Sequence, residues 1–300
     1  MTPMDSGVPA AAGPAEPPRR RPRRTRISDF DQWTVVTVHQ IAHYVRTYRF
    51  LGLLGFVLAV STLTLLFQLD AGGALVRQQQ LYKSSEYLSN FLDWTGLWVI
   101  LAAGFFGGEA LSVDFSTGAG YYMLVQPVRR GTLLAGRYAA ATVAILAIVG
   151  AYYGVAILGA TYFFGASAIL WGTVAYSLAI AVVYALSALS VAFCFSAFFR
   201  SPAIGQLVTI LTLYVGFVTL QSVVELAGLE PWWSLTYAGG AMAAALDTDF
   251  VHLQAVPVGE DQYLQTWSAS TTEGLVIMTA YLAIFLILSI LLYHQKESTG

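Results

Sequence analysis

Few residues in this chain could do chemistry, and their spacing limits what that chemistry is. His39 and His43 stand four apart. On a helix they share a face and could form one edge of a metal site, though two histidines without a third ligand are more often polar surface residues. Glu230, Asp247, Asp249, Glu260 and Asp261 make residues 227–272 acidic, with no Lys or Arg among them. They could draw cations, but they lack the regular spacing of a calcium loop and read as a solvated face. Ser167, in Gly165-Ala166-Ser167, has no base nearby. His39, His43, His252 and His294 all lie outside the apolar runs. The groups for hydrolysis at membrane depth (Ser/His, paired Asp or a metal site) are therefore missing. No Gly-x-x-x-x-Gly-Lys-Ser/Thr loop occurs, and the only lysines are Lys83 and Lys296, so this chain cannot hydrolyse ATP by that route. The single cysteine, Cys194, sits in an apolar run and allows no internal disulfide. The expectation is a chain with no catalytic residues, no metal and no cofactor of its own.

The segment from Gly107 to Arg137 is richer. Glu109 and Asp114 fall where an apolar run ends, and two carboxylates there must face protein, water or a basic partner. Tyr121-Tyr122-Met123-Leu124-Val125 follows, a short apolar patch bounded by Gly118, Gly120 and Pro127. An apolar stretch in a polar loop has to be covered, by membrane surface or by another protein. Arg129, Arg130 and Arg137 come next.

The elements that position these residues follow from composition. Of 300 residues 57% are hydrophobic and 11% charged, against about 25% charged in a soluble domain. Runs near Phe50–Leu69, Trp94–Val113, Tyr138–Phe164, Ile169–Phe199, Ala203–Leu226 and Glu273–Tyr293 are each long enough to cross the bilayer, which takes roughly 20 helical residues. The fourth run is long enough to tilt or project. Arg200-Ser201-Pro202 should end it in a tight hairpin. Phe30, Trp33, Val36, Thr37, Ile41, Tyr44, Val45 and Tyr48 recur at helical spacing, which predicts an amphipathic surface helix before the first span, with Ser28 as its cap. Residues 1–27, rich in Pro, Ala and Gly and ending in an arginine run, read as a disordered basic tail that marks topology rather than a nucleic-acid binder. With the amino terminus inside, every one of the 15 Lys and Arg except Arg77 and Lys83 is cytoplasmic. Both termini are then cytoplasmic. Trp94, Trp98, Trp171, Trp232, Trp233 and Trp267 fall at the outer boundary as an aromatic belt. The expected fold is an all-α integral membrane protein of about six spans, with residues 28–300 as one domain and 227–272 as its outer loop.

At the loop the chain resembles the ABC-2 type family of transporter permeases. Asp114, Gly118, Met123-Leu124-Val125, Pro127, Arg129-Arg130 and Gly136-Arg137 match the order of carboxylate, glycine, apolar helix, proline, arginines and Gly-Lys in that family. Leu229-Glu230-Pro231-Trp232, the basic exit Tyr293-His294-Gln295-Lys296-Glu297 and the surface helix are looser echoes. Ala119 stands where a Thr is common, Arg137 replaces a Lys, and the outer loop is long.

The resemblance implies the permease subunit of an ATP-driven transporter in the plasma membrane, an exporter of hydrophobic or amphiphilic cargo. ATP and Mg would be held by a separate ATPase subunit. Asp114, Gly118, Tyr121, Met123, Leu124, Pro127, Arg129 and Arg130 would form the coupling contact with it, and Glu109 and Arg137 an inner gate or structural element. Six spans would be half of a unit completed by a second permease copy. Gly104 and Gly108 form a small-xxx-small surface that packs either a partner or a helix of the same chain. Rival readings are a membrane scaffold, an ATP-independent channel and, against the missing groups, an intramembrane enzyme.

Overall fold

The computed structural model describes residues 28–70, 81, 83–113, 130–247, 250–257 and 263–298. The chain is an all-α membrane protein with 6 helical segments long and apolar enough to cross a membrane. An amphipathic helix precedes them: α1, Asp29–Arg46, capped by Ser28, whose Oγ accepts from the Phe30 N–H at 3.2 Å. The first span is α2, Tyr48–Asp70. The second is broken into α3, Ser84–Leu92, and α4, Thr95–Gly107, with Asp93 and Trp94 in the turn between them. The third is α5, Arg130–Phe164, and the fourth α6, Trp171–Phe198. The fifth starts with α7, Pro202–Ile210, loosens into a π-helical turn at Leu211–Gly216, and ends with α8, Phe217–Leu226. Two short helices, α9 (Leu235–Gly239) and α10 (Ala241–Ala244), and an antiparallel hairpin of β1 (Leu253–Pro257) and β2 (Tyr263–Trp267) lead to the sixth span, α11, Thr271–Ser298.

Three expectations need correction. The second span runs Ser84–Gly107 rather than Trp94–Val113. The polar residues of α3 are tolerated because Ser84 and Ser85 are buried within the protein instead of facing lipid. At the other end Gly108 turns the chain out of the helix, so Glu109 lies on a turn. The third span begins earlier than Tyr138: α5 has 35 residues, roughly 52 Å at 1.5 Å per residue, and projects well beyond a 30 Å hydrocarbon core. Trp98 is 5% exposed and belongs to the core, packed on Tyr152, while Trp94, Trp171 and Trp232 are exposed. The hairpin at Ser201-Pro202 forms as expected, with Pro202 in the first turn of α7, where its missing N–H costs nothing.

The bundle is organised around α6, whose inner stretch is almost wholly buried. Small residues (Ala181, Ala185, Ala188, Ala192) let neighbouring helices approach, and its serines tie them down. Ser177 Oγ donates to the Met242 carbonyl of α10 and Ser187 Oγ to the Met278 carbonyl of α11, both at 2.7 Å. Around this axis α5 carries α1, α2, α3 and α4 on its other faces. The outward faces of α2, α7, α8 and α11 stay apolar and uncovered, with Phe56, Phe67, Leu207, Leu220, Val276 and Ile284 all more than half or nearly half exposed. Such faces need lipid or a second chain against them. At one end of the bundle α1 meets the last turns of α11 across a cavity lined by Trp33, Leu134, Tyr138, Ile290 and Tyr293. The β-hairpin lies at the other end.

Candidate functional site

At the α1 end the chain leaves α4 and enters the stem of the segment 114–129. The stem is gripped from several directions. Tyr44 of α1 donates through its hydroxyl to the Phe106 carbonyl at 3.3 Å and packs its ring on the Phe106 ring, centroids 5.0 Å apart. Arg49, in the first turns of α2, pairs with Glu109. Gln206 of α7 donates from Nε2 to the same carboxylate oxygen at 2.8 Å and to the Phe105 carbonyl at 3.2 Å. Arg137 of α5 donates to the Ala110 carbonyl at 2.7 Å. Ser196 of α6 accepts from the backbone N–H groups of Leu111 and Ser112 at 2.8 and 3.1 Å. Thr37 of α1 donates to the Gly136 carbonyl at 3.3 Å and so ties α1 to α5, beside Arg137.

Local sequence explains why these groups meet. Gly107-Gly108 ends α4, which frees the carbonyls of Phe105 and Phe106 for side-chain donors. Gly205 and Gly108 then let two backbones touch: a Cβ on Gly205 would sit 2.2 Å from the Gly108 carbonyl oxygen. Gly104 faces Ile210 and Gln206, so the small-xxx-small surface packs α7 of the same chain. Arg137 is 7% exposed and spends one guanidinium N–H on the Ala110 carbonyl. Burial pushes the Tyr44 hydroxyl up to about 12 from its ordinary 10.0, with the Glu109 carboxylate adding to the rise. Hence Tyr44 is a neutral donor at any physiological pH.

The arrangement holds no nucleophile paired with a base. It consists of an ion pair, a buried guanidinium and hydroxyls that grip backbone, and it can transmit a displacement of the stem to α1, α2, α5, α6 and α7 together. Glu109 and Arg137 stand out from sequence, and the structure brings both to the stem. Asp114, Gly118, Tyr121, Met123, Leu124, Pro127 and Arg129 lie outside the described residues, and Arg130 opens α5 with its side chain outside the description. Sequence reading missed Tyr44, Arg49, Ser196 and Gln206. Arg49 and Glu109, opposite charges at the ends of neighbouring spans, carried the one signal that could have paired them.

His39 and His43 are both exposed on α1, and among the described residues no third ligand joins them. The described residues that could hold a metal are Glu230, His252 and Glu273, at the hairpin end. Each of the three already has a protein partner. His252 Nδ1 donates to the Ser268 carbonyl at 2.9 Å, Tyr237 donates to Glu230 at 2.6 Å, and Ser270 donates to Glu273 at 2.8 Å. The group reads as a polar tether between the hairpin and the start of α11. Comparison with protein-family models and with curated proteins gives no match to this chain.

Proposed function

We propose that this protein is the permease subunit of an ATP-driven transporter, worked by a separate ATPase that docks on the segment 114–129. The observation that carries the reading is the stem of that segment. Glu109, Ala110, Leu111 and Ser112 are hydrogen-bonded to α2, α5, α6 and α7. A force on the segment therefore moves the spans as one body. The α1 end is cytoplasmic, where the basic residues gather. Met123, Leu124 and Tyr121 fill an apolar cleft on the ATPase, and Asp114, Gly118, Pro127, Arg129 and Arg130 frame that contact. Nucleotide-driven closure pushes the stem, and Glu109 and Arg137 pass the movement to α2, α5 and α7. A second permease copy completes the path against the uncovered apolar faces, in the plasma membrane. The cargo is hydrophobic or amphiphilic, because the spans show so few charged groups. ATP and Mg belong to the ATPase.

The test is ATP turnover of the complex purified from native membranes, with and without Leu124→Glu or Met123→Glu. The expected result is normal insertion with lost stimulation of turnover. Unchanged stimulation in both variants contradicts the docking assignment.

A further inference from the structure

At the hairpin end, about 310 Å³ of cavity opens between the Asp93–Trp94 turn, α4, α6, α8, α9 and β2. That volume is at the lower end of the roughly 300–1,000 Å³ of small-molecule sites. Tyr184 of α6 lines it, fully buried at 0% exposure, and its hydroxyl has no hydrogen-bond partner among the described residues. Gly96 of α4 and Gly239 of α9 flank that hydroxyl, and a Cβ on either would lie 3.6 or 3.5 Å from it. Trp267 lines the same cavity, and its buried indole N–H is likewise without a partner. Buried hydroxyls and indole N–H groups are nearly always hydrogen-bonded. Two left unmade beside one cavity mark where a ligand's polar atom belongs.

The walls say what else the ligand carries. Trp94, Tyr214 and Tyr237 add aromatic rings to those of Tyr184 and Trp267, and Asp93 places a carboxylate at the rim. No Lys or Arg is among the described lining residues, and none occurs in residues 227–272. Aromatic faces and a carboxylate, with no competing cation, attract a weakly hydrated positive charge. We propose that this cavity binds a substituted ammonium ion that also bears a hydrogen-bonding oxygen. The cation lies against the rings and Asp93, and the oxygen accepts from the Trp267 N–H and the Tyr184 hydroxyl. This site stands independently of ATP-driven transport, since it is built from the outer ends of the spans and shares no residue with the stem junction.

Choline has both features, and its neutral tert-butyl analogue keeps the shape without the charge. The full chain in phosphatidylglycerol nanodiscs is titrated calorimetrically with choline chloride, the neutral analogue and sodium chloride. Choline is expected to bind, and the neutral analogue to bind about tenfold more weakly or not at all. Asp93→Asn and Tyr184→Phe should each weaken choline by about tenfold. Tyr184→Phe should leave the unliganded chain as stable as before, because the hydroxyl it removes has no partner. The same titration in phosphatidylcholine discs separates two sources of this chemistry. A blunted response there identifies the lipid headgroup as occupant, and an unchanged one identifies a free cation. No choline binding, equal binding of the neutral analogue, or full choline affinity in Asp93→Asn overturns the proposal.

Discussion

Replacing Gly205 by alanine should pry the stem junction apart. The added Cβ would lie 2.2 Å from the Gly108 carbonyl oxygen and 3.3 Å from the Gly108 carbonyl carbon. Both are backbone atoms, so no side chain can swing aside, and α7 must retreat from the stem by about 1 Å to reach ordinary contact. Overpacking of this kind costs about 1–3 kcal/mol. The retreat also stretches the Gln206 bonds to Glu109 and Phe105, now 2.8 and 3.2 Å. Losing one charge-assisted bond adds about 1.5–3 kcal/mol. Alanine's helix propensity returns at most about 1 kcal/mol. The net loss is therefore about 1.5–5 kcal/mol. It would be read by reversible unfolding of the chain in lipid discs. Two other glycines calibrate it. Gly52→Ala meets nothing within 4 Å and should be neutral or slightly stabilising. Gly104→Ala meets the Ile210 side chain at 2.4 Å, so Ile210→Ala should largely rescue it. Stability within about 0.5 kcal/mol of wild type for Gly205→Ala, or equal damage from Gly52→Ala, would refute the close approach.

The other junction contacts make separate predictions. Glu109→Gln removes the charge that holds Arg49 and Gln206. Because the Arg49 side chain is 54% exposed, a double-mutant cycle with Arg49→Ala should give a coupling energy of only about 1 kcal/mol. A coupling of zero would show that the pair does not hold α2. Ser196→Ala leaves the N–H groups of Leu111 and Ser112 without their acceptor and should cost about 1–3 kcal/mol, with faster hydrogen exchange at those two amides as its local signature. Tyr44 gives a pH dependence. Its hydroxyl is held up to about 12, against 10.0 in the unfolded chain. Below 10.0 both states are protonated, so the full stability is present; as pH rises towards 12 only the unfolded state ionises. Tyr44 should therefore account for about 2–3 kcal/mol of lost stability over that window, and Tyr44→Phe should reduce the alkaline loss by that amount.

Hydropathy made the spans legible, because lipid demands long apolar helices and tolerates few exceptions. The surface helix with its Ser28 cap and the stop at Pro202 were equally local signals. The second span was misplaced because Ser84, Ser85 and Ser89 look solvated in sequence, yet two of these serines are buried and Ser84 and Ser89 donate to the Ala168 and Ala243 carbonyls. The π-turn at Leu211–Gly216 has no sequence signature that separates it from an α-helix. The stem junction was only half legible. Glu109 and Arg137 stood out as charges near apolar runs, but Gln206 and Ser196 become visible only when distant segments meet. Nothing local says that a serine on α6 accepts from residues more than 80 positions earlier. The cavity at the hairpin end was illegible for the same reason, since Gly96, Tyr184, Gly239 and Trp267 come from four separate stretches of chain.

The measurement that bears most directly on the transport reading is mild-detergent purification of the tagged chain from its native membranes, followed by mass spectrometry of what accompanies it. The account predicts a stoichiometric partner carrying a Walker nucleotide-binding loop, lost when Leu124 is changed to Glu. Recovery of the chain without any ATPase, even after cross-linking, would contradict it and leave a membrane scaffold or an ATP-independent channel.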